Sequence, residues 1–333
     1  MIVVKRSYQQ GLSLVELMVA MVLGLLISLG VIQIFDSNRV SYRTQEALSR
    51  VQESGRIAIS LLSREIRIAG FWGCHGNAAN VNNQLNPDPA QGFDPVFHDF
   101  ANGGLAGADN IAGNPANQIV NGTDGITVRR AGALNGGTRV IPPYMAAVTD
   151  DINVPNAPND IENRDYLVVS DCLAADVFRN RSAVAGQLRH TVGGAGGGPG
   201  NLSGNLSKVY GENAMVYRAL ATTFFIRTNP VGEPALYMSE LGGVPMELVE
   251  GIEDMQILYG EDATGDGSTI QYFSAGDPAL DMARVVSVRV SLLVRSTENA
   301  TTEPQVYTFN GVQTVAPDLR LRKVYTTTIA LRN

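Results

Sequence analysis

Between Leu12 and Phe35 almost every position is apolar, reading LSLVELMVAMVLGLLISLGVIQIF with Glu16 as its one charged residue. As a helix rising about 1.5 Å per residue, this run is long enough to cross a hydrocarbon core about 30 Å thick. Lys5 and Arg6 stand before it, so the positive-inside rule leaves the first residues in the cytoplasm and exports everything after Phe35. Beyond the run the pattern turns one-sided. Val40, Thr44, Ala47, Val51, Ala58, Leu62 and Ile66 recur at steps of three, four or seven, with Arg and Glu between them. The periodicity predicts one helix from about Leu12 to about Ala69, ended near Gly70. Its first half belongs in lipid or among other helices, and its second half lays an apolar stripe on a folded head. Gly24, Gly30 and Gly55 each cost this helix about 1 kcal/mol relative to Ala, and allow local melting or close packing.

Past Gly70 the period is lost. Residues 71–95, FWGCHGNAANVNNQLNPDPAQGFDP, are rich in Asn, Gly and Pro and read as irregular surface structure. Short strand-like runs follow at 126–130, 166–170 and 216–228, and GGAGGGPGNLSGN at 193–205 reads as a flexible, low-complexity loop. That loop lacks the Gly-Lys-Ser/Thr ending of a phosphate cradle. The last hundred residues alternate with period two. In VVSVRVSLLV, Val286, Val288, Val290 and Leu292 point one way while Ser287, Arg289 and Ser291 point the other. The expected fold class is therefore α+β, a long N-terminal helix packed on an antiparallel sheet, with a large loop-rich insertion. The expected divisions are a leader at 1–11, an apolar helix at 12–35, its amphipathic continuation at 36–70, the insertion with short strands at 71–205, and the sheet at 206–333.

Charge and composition narrow the chemistry. A net charge of -7 argues against a surface built to displace counterions from phosphates, so nucleic acid is not an expected partner. Arg320, Arg322 and Lys323 are basic, but they alternate with Leu319, Leu321 and Val324 as a half-buried strand would. The three histidines, His75, His98 and His190, lack metal or protease spacing, and each reads as a solvated loop position. No nucleophile elbow is present, so the chain is not expected to be an enzyme or to take a cofactor or small-molecule substrate. Asp262, Asp266 and Gly267 occupy positions one, five and six of a calcium-type loop, but Thr264 stands at position three and Phe273 where the bidentate Glu is needed. A turn rich in Asp and Gly is the simpler reading. Cys74 and Cys172 lie far apart; in an exported chain they read as a disulfide, with two buried thiols as the alternative.

Glu16 remains unexplained by an ordinary signal peptide or signal anchor. An acid inside a membrane segment costs a few kcal/mol and is kept when it has a partner, and the run itself contains no cation. A short basic leader, then Gly11, Leu12 and an acid at Glu16 resembles, in register, the signal of type IV pilins and type II secretion pseudopilins. The resemblance implies cleavage by a prepilin peptidase between Gly11 and Leu12, N-methylation of Leu12, and pairing of Glu16 with a neighbouring subunit's amino terminus, which sets the register of assembly. Leu12 departs from the Phe usual in that family. The C-terminal segments ELVEGIEDMQILYGED, ARVVSVRVSLLVRS and LRLRKVYTTTIALRN resemble the PilW type of minor pilin, itself similar to J-type pseudopilins. Residues 75–205 carry no such resemblance. What it implies is a single-pass inner-membrane protein with a periplasmic head, later incorporated in the pilus. Its expected partners are the major pilin and other minor pilins in a priming or tip complex. The alternatives are a type II secretion pseudopilin and a membrane-anchored binding or adhesion module.

Overall fold

The computed structural model describes residues 13–73, 81–113, 117–134, 137–156, 160–193, 196–269 and 271–332. Helix α1 runs unbroken from Leu14 to Arg67. Ser13 caps its first turn, and Arg64 and Arg67 lie in its last, where cations oppose the negative end of the helix dipole. The chain then leaves the axis through Gly70, whose φ of 74° is in the left-handed region that glycine enters without a Cβ clash. Ala47, Val51, Gly55, Ala58, Leu62 and Ile66 are buried, so the one-sided stripe is the docking face. Leu62 and Ile66 are fully buried, and each stabilises the docking by about 1.5–3 kcal/mol. At Gly55 the structure decides between melting and close packing, because a Cβ there would lie 2.4 Å from the Tyr325 ring. The ring rests on bare helix backbone, and its hydroxyl donates to the Val51 carbonyl at 3.4 Å.

In chain order the strands are β1 (Val81–Asn83), β2 (Leu105–Ile111), β3 (Thr123–Gly132), β4 (Thr138–Arg139), β5 (Ile152–Asn153), β6 (Tyr166–Ser170), β7 (Ala175–Arg179), β8 (Gln187–Leu188) and β9 (Met215–Thr228). Then come β10 (Pro234–Glu240), β11 (Met246–Glu250), β12 (Ile252–Glu261), β13 (Gln271–Phe273), β14 (Val285–Asn299), β15 (Val306–Phe309), β16 (Val312–Val315) and β17 (Arg320–Ala330). The four-stranded sheet, in order β13-β12-β14-β17, is antiparallel throughout and carries α1 over β14 and β17. Val288, Val290 and Leu292 of β14 are buried, whereas Arg289 and Ser291 are half-exposed, as period-two alternation requires.

The nine-stranded sheet is built on β9, which pairs with β6 and β10 along one side and with β4 and β3 along the other. Strands β1, β2, β3, β4, β6 and β7 of this sheet come from residues 71–205, so that stretch is not a separate module looped out of the head. The main core forms where α1, the four-stranded sheet and the β3, β9, β10 part of the larger sheet meet, around Leu62, Ile126, Phe224, Met255, Val290 and Ile329.

Buried polar groups organise the irregular segments. Arg179 is 3% exposed and donates to the carbonyls of Gly196, Gly197, Gly198 and Pro199, and to that of Arg164. The glycine-rich stretch, expected as a flexible loop, is thus wrapped round a guanidinium, because closely spaced carbonyls without side chains can converge on one planar fork. Arg129 does the same for residues 95–103, donating to the carbonyls of Pro95, Val96, Asp99 and Gly103. Asp176 is fully buried and accepts from Gln84, from the Ser207 main chain and hydroxyl, and from the Tyr210 hydroxyl. Two histidines depart from the solvated positions expected for them. Helix α2 (Pro95–His98) buries His98, whose Nδ1 accepts the Asp94 N–H at 3.0 Å and whose pKa burial lowers. His190 is 2% exposed, with Nε2 2.9 Å from the Asp150 carbonyl oxygen. His75 lies outside the described residues.

Arg295, Arg320 and Arg322 interleave with Glu233, Glu253 and Asp318. Glu233 lies in the β9–β10 turn of the larger sheet and the arginines on β14 and β17, so the network ties the two sheets together. The side chain of Arg322 is fully buried, with its charge matched by Glu253 at 2.7 Å and Asp318 at 2.6 Å.

Candidate functional site

The functional element is α1, which lies in two environments. From Leu14 to Leu29 every side chain is exposed, and an 18-residue window of the helix averages a hydropathy of 2.5 with none of it buried in the protein. The stretch from Leu14 to Phe35 is about 33 Å long, the thickness of a bilayer's apolar core. Ser28 donates to the Gly24 carbonyl at 2.8 Å, so the hydroxyl in this stretch is satisfied without water. Nothing lies within 4 Å of a Cβ built at Gly24 or Gly30, so both positions face open space. From Asp36 to Arg43 every residue of the helix is exposed, over about 12 Å. Thr44 makes the first link, donating to the Ala300 carbonyl at 2.5 Å, and the stripe beginning at Ala47 completes the docking.

At the other end, Ser13 and Glu16 form a reciprocal capping box. The Glu16 N–H donates to the Ser13 hydroxyl at 3.2 Å, while one Glu16 carboxylate oxygen accepts from the Ser13 N–H at 3.0 Å and the Ser13 hydroxyl at 3.1 Å. The Ser-Leu-Val-Glu spacing that builds this box was open to reading in the sequence. The acid therefore sits over the first helical turn, where the dipole favours a negative charge, and remains exposed. Gly11, Leu12 and Cys74 lie outside the described residues. Among the described residues no cysteine is free.

The acidic turn after β12 uses its carboxylates internally. Asp262 accepts the N–H groups of Thr264, Gly265, Asp266 and Gly267, and these bonds hold its pKa below the ordinary carboxylate range. Asp266 caps Ser268 in the same way, and Phe273 lies in β13. Both carboxylates thus serve as turn-formers.

Residues 6–32 match the prokaryotic N-terminal methylation motif, and residues 223–333 match the type IV pilus-assembly protein W family. Among solved structures the chain is similar to a type IV-like pilin from Thermus thermophilus, at 9% identity and a TM-score of 0.34, over 85% of this chain and 95% of that one. No curated protein sequence matches the chain.

Proposed function

We propose that this chain, a PilW-like minor pilin of the type IV pilus, joins other minor pilins in a complex that primes assembly of the filament and stands at its tip. The observation that supports this most directly is the division of α1. One half is apolar and unpartnered, the other is locked to a rigid head, and so the same helix can be held first by lipid and then by neighbouring helices without refolding. In the membrane the head lies on the periplasmic side, and in the pilus it lies at the surface.

In this reading a prepilin peptidase cuts between Gly11 and Leu12, and the new ammonium of Leu12 is methylated. Glu16 then takes the amino terminus of an adjacent subunit. Each charge is expensive alone in a low-dielectric layer, and the pair offsets both costs only in one axial register. The capping box is compatible with this role. A carboxylate has about four acceptor sites, and the Ser13 groups occupy one oxygen. We also propose a Cys74 to Cys172 disulfide, which would close a long loop and restrict the unfolded chain by about 4–5 kcal/mol.

The test is the mass and N-terminal sequence of the chain recovered from membranes with and without prepilin peptidase, alongside filament yield for Glu16→Gln. We expect N-methylated Leu12 only with the peptidase, and normal membrane insertion but reduced filament initiation for the variant. A chain still beginning at Met1 in both strains would end the processing reading. Normal initiation by Glu16→Gln would end the register reading. Loss of protein export with intact pili would move the chain to the type II secretion pseudopilins.

A further inference from the structure

The last strand ends the four-stranded sheet. Strand β17 pairs with β14 from Ala330↔Ser287 to Arg322↔Arg295 without a register shift. Two hydrogen bonds fix which of its main-chain groups face outward. Leu331 N–H donates to the Val286 carbonyl, so odd-numbered residues of the strand bond inward to β14. On the opposite side, Arg322 N–H donates to Oε1 of Gln305 at 2.8 Å, and the Arg322 carbonyl accepts from Gln305 Nε2 at 2.9 Å. The side-chain amide of Gln305 therefore occupies the outward groups of Arg322 as a neighbouring strand would. By the two-residue period, Val324, Thr326, Thr328 and Ala330 also turn N–H and C=O outward, over about 20 Å. Among the described residues, no hydrogen bond from another strand, loop or side chain reaches those main-chain groups. The stretch has no proline, bulge or charged side chain from 324 to 331, the devices by which natural proteins blunt an open edge.

Arg322, where the edge begins, is neutralised by Glu253 and Asp318, and the charges round the edge that lack an ion-pair partner are cationic. Lys323 and Arg332 bracket it in sequence, the Arg332 N–H reaches the Arg67 carbonyl, and Arg56 faces Tyr325 from the helix. None of Arg56, Arg67, Lys323 and Arg332 forms an ion pair among the described residues, and all four are exposed. The helix acids Glu46 and Glu53 instead line the cleft beside Arg295 and Glu298. A cationic rim on a chain of net charge -7 is a local feature rather than a general one.

We propose that the outer edge of β17 from Val324 to Ala330 is a strand-addition site, and that its occupant is an extended, proline-free segment of another chain carrying carboxylates at its ends. Main-chain hydrogen bonds supply the attachment and the cationic rim selects the acidic strand. A second copy of this chain is a poor fit, since antiparallel pairing of two β17 edges sets Lys323 and Arg332 of one against those of the other. This inference does not depend on the assembly role proposed above.

The test uses the full chain in detergent micelles and the peptide acetyl-Glu-Val-Thr-Val-Thr-Val-Glu-amide, with a second peptide in which Lys replaces Glu. Amide hydrogen exchange is read residue by residue. The acidic peptide is expected to slow exchange at least about tenfold at Val324, Thr326, Thr328 and Ala330 while leaving β11, an edge strand of the other sheet, unchanged. Thr328→Pro removes an outward N–H without breaking the β14 ladder and should abolish the protection, whereas Thr328→Val should keep it. If Thr328→Pro does not fold, the double variant Lys323→Glu, Arg332→Glu serves, with preference expected to switch to the Lys peptide. No protection by either peptide, equal protection by both, protection by the acidic peptide that survives Thr328→Pro, or protection that grows with protein concentration in the absence of peptide would each overturn the proposal.

Discussion

Asp124 offers a sharp check on how the two sheets are joined. It lies on β3, is 2% exposed, and accepts the Asn110 N–H at 2.9 Å and, from β12 of the other sheet, the Ile257 N–H at 2.7 Å. Burial pushes its pKa up from 3.8 to about 6, against the two N–H bonds and with help from Asp109 and Asp254. A folded pKa above the unfolded one means that the folded chain holds the proton more tightly. The group's stabilisation is thus present at low pH and is lost as pH rises through 3.8 to about 6. Between pH 5 and pH 7.5 the loss amounts to about 1.4 kcal/mol. Asp124→Asn does not titrate, and its amide can accept one N–H but turns an NH2 toward the other, costing about 1–3 kcal/mol. The wild type should therefore exceed the variant in stability by about 1.4 kcal/mol more at pH 5 than at pH 7.5. Urea unfolding of the full chain in detergent, followed by fluorescence of the fully buried Trp72, the one tryptophan in the sequence, reads the difference. Other acids titrate in both proteins and cancel. A gap that stays constant or widens toward pH 7.5 would refute the reasoning.

Three further outcomes are expected. Leu62→Ala removes a fully buried anchor of α1 and should cost about 2–5 kcal/mol in the same unfolding assay. Arg179→Leu leaves the carbonyls of residues 196–199 without their donor, and hydrogen exchange there should rise at least about tenfold while α1 is unchanged. The side-chain bond from Arg320 holds Glu233 below the ordinary carboxylate range, with Arg295 adding to it, and Arg322 does the same for Asp318. Depressed folded pKa values give stability that is present above the unfolded values of 4.5 and 3.8 and lost as pH falls through the folded ones, so urea midpoints should drop below pH 4.5 less steeply in Glu233→Gln than in the wild type.

Local chemistry was legible wherever one residue and its near neighbours decide the outcome. The stripe from Ala47 to Ile66 needs only a period near 3.6, and β14 only a period of two. The Ser13–Glu16 box is equally local, since both partners lie within one helical turn. His98 and His190 depart from solvated positions for a different reason. His98 is buried because Tyr166 of β6 meets it from a distant segment, beside its own neighbours Phe93 and Phe97, and no spacing along the chain records the Tyr166 contact. The glycine-rich stretch is ordered by Arg179, which arrives from β7 on the far side of a long loop.

The sequence by itself determined the apolar anchor, the length and face of the helix, the N-terminal methylation motif and the strand character of the last hundred residues, because hydropathy, period and short motifs act through bonds and turns a few residues long. Only the tertiary structure decided that residues 71–205 supply most of a shared sheet, that Gly55 admits Tyr325, that Arg322 is buried against Glu253 and Asp318 while Asp176 is buried among neutral donors, and that β17 keeps an open edge. Strand pairing and the desolvation of charge depend on which distant segments meet, and the free energies that select those meetings belong to pairs of surfaces rather than to either stretch of chain.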